Sequence, residues 1–340
     1  MAKIRHTLTA LVAGAALVLT GCSNDGAGSG SSTSAAADGS ATESTAAESV
    51  TVEDNEGEKT IEKPIESVAV LDNRSFEILD QWQVPITVAA RKLVPSTLPD
   101  LKNDESILDV GNHKEPDLEQ IVAGDPQLIV SGQRFQKYDE QIEQMNPQAT
   151  LVDFEPREDK PLDEELTRHT ENLGKIFDKE DEAQKLIDDF NKALQRAKDA
   201  YDGESTVMAV NVSGGDIGYV APHVGRTYGP LFDLIGFKPA LQIEHASSDH
   251  KGDDISVEAI ADSNPDFMLV LDRDAAISTS EGASKPAKTV IEESTPLEGV
   301  TAVKDGHVYY APDDTYTNEN IITYTEILNG IADQLEAAQK

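Results

Sequence analysis

Asp181-Glu-Ala-Gln-Lys-Leu-Ile-Asp-Asp-Phe-Asn-Lys-Ala-Leu-Gln-Arg-Ala-Lys-Asp-Ala-Tyr201 carries Ala183, Leu186, Ile187, Phe190, Ala193, Leu194, Ala197 and Tyr201 in one stripe. The spacing is that of a single helix face, with charge on the other sides. At ~1.5 Å per residue the rod is about 30 Å long. Leu166 to Phe177 reads as a second helix leading into it. On either side the pattern changes to short apolar runs alternating with helical stretches. A long helix between two such regions predicts two lobes joined by a rod rather than by a loop. A helix is a stiff connector, so small lobe movements are expected, with a cleft largely formed before a ligand arrives.

Before the rod, Val50 to Asp54 and Lys59 to Glu62 alternate about Asn55-Glu56-Gly57, the pattern of a β-hairpin. Val68 to Leu71, Ile86 to Ala90, Gln127 to Ser131 and Thr150 to Phe154 read as strands. Helical patterns through Phe76, Ile78, Leu79 and Trp82, from Pro116 to Ala123 and from Tyr138 to Met145 fall between them. After the rod the alternation resumes through Thr206 to Asn211, Tyr228 to Ile235, Val257 to Ala261, Phe267 to Leu271 and Val308 to Tyr310, and a final helix runs from Glu319 to Ala338. The fold class is therefore α/β, two Rossmann-like lobes joined by a long backbone helix. The expected divisions are an N-terminal lobe over 50–163, helices over 164–202, a C-terminal lobe over 203–315 and a C-terminal helix over 316–340.

The chain has 340 residues and a formal net charge of −35, from 63 acidic against 28 basic side chains. Such a surface repels nucleic acid and anionic lipid, which argues against a DNA or RNA role. It also serves solubility, and it makes any gathering of arginines conspicuous. The single cysteine, Cys22, rules out an internal disulfide and a cysteine-based zinc site. Lys3, Arg5 and His6 precede a short apolar run, Leu8 to Leu19, which ends in Leu19-Thr20-Gly21-Cys22. This resembles the bacterial lipobox, so 1–22 is expected to be a signal peptide and Cys22 the lipidated residue. Residues 23–49 are nearly all Ser, Gly, Ala and Thr with a few acids, a flexible tether. No later segment is apolar enough to span a bilayer, so the expected address is the outer face of a bacterial cytoplasmic membrane, anchored by lipid.

Three arginines stand where chain geometry aims them at one cleft. Arg134 follows the strand Gln127 to Ser131, Arg273 follows Phe267 to Asp272, and Arg226 lies in a glycine-containing loop before a helix. In α/β sheets, ligands collect beyond the carboxyl ends of strands. Taken singly, each arginine could instead pair with a surface acid.

Four stretches, Val110 to Ile121, Asp125 to Gly132, Gly225 to Phe237 and Asn264 to Arg273, occur in an order that resembles the helix-backbone (class III) solute-binding proteins of ABC importers. The branch it is most similar to binds iron–catecholate siderophores. The resemblance covers 50–338 and implies a periplasmic-binding-protein-like fold with a ferric siderophore as transported ligand. It implies no intrinsic cofactor, no enzymatic activity and ABC permease subunits as partners. A monomer is the expectation for a tethered shuttle. In such relatives, arginines at the places of Arg134, Arg226 and Arg273 form a positive pocket. An iron tris-catecholate is trianionic with flat aromatic faces, and arginine supplies permanent charge, forked donors and a planar face. Gln133 places Arg134 one residue further from Ser131-Gly132 than the family pattern does.

Tyr316, in Ala311-Pro-Asp-Asp-Thr-Tyr316, and His250, in Ser247-Ser-Asp-His250, match the tyrosine and loop histidine that complete the iron shell of a tetradentate siderophore in those relatives. Phenolate is a hard ligand suited to ferric iron, and imidazole is a borderline one. His245 is a nearby rival to His250. His113, His169, His223 and His307 are scattered and do not make the set a zinc or manganese carrier needs. For permease docking the resemblance points to Asp139 or Glu140 on one lobe and Asp233 on the other. The competing ligands are a hydroxamate siderophore, haem and a corrinoid. Haem favours Met or His ligands, and hydroxamate complexes carry less negative charge than three arginines call for. A secreted metal-dependent hydrolase is a further rival, but HExxH and GxSxG are absent. An adhesion or scaffold module would bind no small ligand.

Overall fold

The computed structural model describes residues 48–277 and 285–339. Its strands are β1 (Ser49–Glu53), β2 (Glu58–Glu62), β3 (Val68–Val70), β4 (Ile86–Ala89), β5 (Leu108–Asp109), β6 (Leu128–Ser131), β7 (Thr150–Asp153), β8 (Thr206–Ser213), β9 (Asp216–Val220), β10 (Lys238–Pro239), β11 (Phe267–Asp272) and β12 (Val308–Tyr310). The first six helices are α1 (Phe76–Gln81), α2 (Pro99–Asn103), α3 (Glu119–Gly124), α4 (Asp139–Met145), α5 (Leu162–Phe177) and α6 (Glu180–Ala200). The rest are α7 (Gly229–Leu231), α8 (Val257–Ser263), α9 (Arg273–Ile277), α10 (Ala287–Glu292), α11 (Thr301–Asp305) and α12 (Ile321–Ala338).

The strands form two sheets and a hairpin. The first sheet has the order β5-β4-β3-β6-β7, every pairing parallel. The second has the order β10-β8-β11-β12, also parallel, with β9 antiparallel on β8. Residues β3 and β6 are buried throughout, as central parallel strands covered on both faces must be. In β8 the faces alternate. Val207 and Ala209 join the core shared with the first lobe and the long helices, whereas Met208, Val210 and Val212 join a second core with Ile260 and Ile291.

Between the sheets run α5 and α6. The stripe of α6 buries Ala183, Ile187, Phe190, Ala193, Leu194, Ala197 and Ala200. Phe190 is fully buried, and a side chain of that kind contributes about 1.5–3 kcal/mol. The helix stops at Ala200. Tyr201 turns out of it to donate to the Ser205 carbonyl at 2.7 Å and to meet Phe237 edge-on at 5.0 Å. Against α6 packs α12, held as well by Arg196, which donates to Glu336 at 2.9 Å and to Asp333 at 2.6 Å. The two α/β lobes thus share a helical spine.

Two features differ from the sequence reading. Residues 216–220 form a strand, returning on β8 through Gly214-Gly215, both at positive φ (66° and 88°). That is the requirement of a tight hairpin turn. The chain between β12 and α12 does not run straight into the helix, which begins only at Ile321. Residues 314–320 are instead bonded to the first lobe. Thr97 donates to Asp314 at 2.6 Å and Asn73 to the Thr317 carbonyl at 2.9 Å. Asn318 and Asn320 both donate to Glu77, at 2.8 and 2.9 Å.

Candidate functional site

Each sheet has a point where the chain reverses its direction of growth. In the first sheet β4 and β5 are added on one side of β3, then β6 and β7 on the other. In the second, β8 has β10 on one side and β11 and β12 on the other. Ligands bind in the crevices such reversals leave at the strands' carboxyl ends. Asn73 and Arg74 follow β3, and Gln133 and Arg134 follow β6. A Cβ on Gly132 would stand 2.5 Å from an Asp72 oxygen, so these strand ends approach only because the residue is glycine. Across the other crevice, Arg273 at the end of β11 donates to Ser213 at the end of β8, at 3.1 Å.

The two crevices meet at Tyr316. Its ring, 5% exposed, lies under the guanidiniums of Arg226 at 4.5 Å, Arg273 at 4.9 Å and Arg134 at 5.8 Å. Such stacking is favourable by about 0.5–2 kcal/mol for each cation. Burial alone would raise the phenol's pKa, but the neighbouring guanidiniums of Arg273, Arg226 and Arg134 outweigh it and hold it below the usual tyrosine value. With the guanidiniums on the ring the cleft is nearly closed, with room for about 10 Å³, far below the roughly 300–1,000 Å³ usual for small-molecule sites. A large ligand must lift the guanidiniums off the ring.

Carboxylates form the floor. Glu319 is buried and accepts from Arg226 Nε at 2.9 Å and also from Arg226 Nη2, while its other oxygen accepts from Thr227 Oγ1. Arg74 lies 4.0 Å from Glu319 and donates to Glu155 at 2.7 Å. Burial works against the Glu319 charge, but Arg226, Arg74 and Thr227 more than offset it and lower its pKa. Glu155 is pushed up to about 7 by burial, which Arg74 only partly opposes. Thr227 has φ 67°, unusual for a β-branched residue. Its hydroxyl bond to Glu319 and the Tyr324 hydroxyl on its carbonyl, at 3.1 Å, hold it there, and backbone strain of this kind clusters at functional sites. Behind the cleft, Asp72, Ser75 and His169 form a buried hydrogen-bonded cluster.

Of the residues singled out in the sequence, Arg134, Arg226, Arg273 and Tyr316 come together. His250 lies in a loop with its side chain 49% exposed and Asp249 at 3.7 Å. Its carbonyl accepts from Asn211 of β8 at 2.9 Å, and none of its contacts is with Tyr316. His245 is exposed at φ 63°. Glu140 is exposed and accepts from Gln144, while Asp233 is exposed and pairs with His223 at 2.7 Å. Cys22, the signal peptide and most of the tether lie outside the described residues. Arg74 and Glu319 were missed. Arg74 follows an apolar strand just as Arg134 and Arg273 do, and the same rule would have found it.

A family model described as "Periplasmic binding protein" matches residues 68–315. The chain belongs to the periplasmic binding protein family. It is accordingly a solute-binding protein of extracytoplasmic type and not an enzyme. Petrobactin-binding protein YclQ of Bacillus subtilis is 29% identical over 345 residues, covering 99% of this chain and 100% of the relative. Ferric-anguibactin-binding protein FatB of Vibrio anguillarum is 29% identical over 286 residues, covering 83% of this chain and 86% of the relative. Among solved structures, siderophore binding protein BauB, bound to a complex of two acinetobactin molecules and ferric iron, superposes with a TM-score of 0.73 at 25% identity, covering 85% of this chain and 99% of that one. Both lobes and the helical spine are those of this binding-protein family.

Proposed function

We propose that this protein captures a ferric siderophore of the catecholate type outside the cytoplasm and presents it to an ABC permease for iron uptake. The observation that carries the reading is Tyr316 held under Arg134, Arg226 and Arg273, where the crevices of both lobes meet. Guanidiniums suit an anionic, flat-faced ligand in charge and in shape. Arg134 and Arg273 supply the surplus charge. Among the described residues no carboxylate lies within 4.0 Å of Arg134, and Arg273 has only Asp274, at 3.9 Å. Tyr316 offers a phenolate to iron left open by a tetradentate siderophore, and His250 is the proposed second donor, brought in by its loop. The relatives named above support iron–siderophore cargo by their own ligands. A native mass spectrum of the purified protein mixed with several ferric siderophores tests this. Adducts with ferric catecholates are expected in preference to ferric hydroxamates, haem or corrinoids, and their absence would contradict the reading.

The proposal includes the address. Leu19-Thr20-Gly21-Cys22 supports lipidation at Cys22, a tether over 23–49 and residence on the outer face of the membrane. Cys22→Ala should block acylation and normal processing, read by radiolabelled fatty acid and by fractionation. A variant that stays anchored and is cleaved as before would overturn the lipoprotein assignment. Glu140 and Asp233, both exposed, are the proposed acidic contacts to the permease, one on each lobe.

A further inference from the structure

The cleft holds more arginines than it offers to a ligand. Arg74, Arg134, Arg226 and Arg273 all belong to it, yet their charges are not equally free. Arg226 is bound through Nε and Nη2 to Glu319. Arg74 is bound to Glu155 at 2.7 Å and stands 4.0 Å from the same Glu319 oxygen. Among the described residues, Arg134 and Arg273 have no comparable partner; Arg273 has only Asp274, at 3.9 Å. The carboxylate that distinguishes the two sets is itself 5% exposed, lines the cleft, and makes its remaining contact with Thr227.

We propose that Glu319 sets the ligand charge this cleft accepts, by neutralising Arg226 and part of Arg74 while leaving Arg134 and Arg273 free. The inference rests on the reading that an anionic ferric complex enters the cleft, and it goes further by assigning a residue that selects among such complexes. A charge buried in the wall acts on a ligand over several ångströms of low-dielectric space, so the effect scales with ligand charge. A merely structural glutamate would act differently. Its loss would loosen Arg226 and weaken every ligand by a similar factor, whatever the charge.

The test measures affinities of two probes, a trianionic ferric tris-catecholate and a neutral ferric tris-hydroxamate, on the full-length protein and its variants. Glu319→Gln removes the charge and keeps one acceptor oxygen for Arg226, while its amide NH2 can donate to the Thr227 hydroxyl, which turns to accept. The ratio of affinities should move toward the trianionic probe by about tenfold, the scale of one charge-assisted contact. Because removing a buried partner can destabilise the fold, Arg74→Gln provides the reciprocal reading. It takes one cation from the cleft and should move the ratio the other way. Thermal melts establish that each variant is folded at the titration temperature. An unchanged ratio in both folded variants overturns the role of Glu319. Arg273→Gln, run in parallel, separates this from the larger reading. If it weakens the trianionic probe while the Glu319 ratio stays fixed, only the charge-setting role fails. If none of the three variants responds, the cleft is not the binding site and both readings fall.

Discussion

Tyr316→Phe should weaken a tetradentate ferric bis-catecholate by about 100-fold or more and leave a hexadentate ferric tris-catecholate within about twofold, since even outer partners of a metal ligand are worth 10- to 100-fold. The difference follows from open positions on the iron. A tetradentate complex leaves some for the protein to fill, and a hexadentate one leaves none. The phenolate is made cheap to supply. Burial resists its charge, but the charges of Arg273, Arg226 and Arg134 beside the ring more than compensate. Removing the hydroxyl keeps the ring and its stacking under the guanidiniums, so any loss that depends on denticity belongs to the oxygen. His250→Ala should show the same pattern more weakly, because its loop has to move first. Absorption titrations report both affinity and the phenolate-to-iron charge-transfer band. Equal losses for the two complexes would mean that Tyr316 only packs against the ligand.

Arg226→Gln should be the most damaging of the arginine changes, in folding as well as in binding. Arg226 and Glu319 are 19% and 6% exposed at their side chains, and they are joined by two hydrogen bonds. Removing one partner of a buried pair leaves the other uncompensated, at a cost of about 3–5 kcal/mol. That is a large share of the roughly 5–15 kcal/mol that holds a domain together. The orphaned Glu319 also leaves an uncompensated negative charge in the wall of the cleft, and Arg74 at 4.0 Å is a poor replacement. The loss in anion affinity should therefore exceed that of Arg273→Gln, whose carboxylate neighbour is 3.9 Å away and outside the floor. The double variant Arg226→Gln/Glu319→Gln should recover much of the stability, because no lone charge remains. Urea unfolding and affinity measurements on the single and double variants form the cycle. A wild-type unfolding midpoint for Arg226→Gln would show that the pair is not coupled.

The spine was legible because its signal is local and repeated: the buried face of α6 is the stripe from Ala183 to Ala197 seen in the sequence. Arg134 and Arg273 were legible because each follows an apolar strand, and the resemblance pointed to Tyr316. Arg74 carries the same signal after Val68 to Val70. Glu319 had none, since nothing in a chain with 63 acids marks the one that turns inward to meet Arg226. The anchoring of residues 314–320 to Asn73, Glu77 and Thr97 was equally hidden. Those bonds join positions 217 to 244 residues apart, and no periodicity records such contacts. The β9 hairpin is different. Gly214-Gly215 between apolar runs is a turn signal, legible in the sequence.

Whether an anionic ferric complex sits against Tyr316 and its guanidiniums is tested most directly by titrating the purified protein with a tetradentate ferric bis-catecholate and recording the visible spectrum. Wild-type protein should saturate at one complex per chain with a shifted charge-transfer band. Arg134→Gln/Arg273→Gln, folded to the same melting temperature but stripped of its free cations, should bind at least about 100-fold more weakly, as two charge-assisted contacts are lost. No saturable binding by the wild type, or equal binding by the double variant, would contradict the assignment of this cleft.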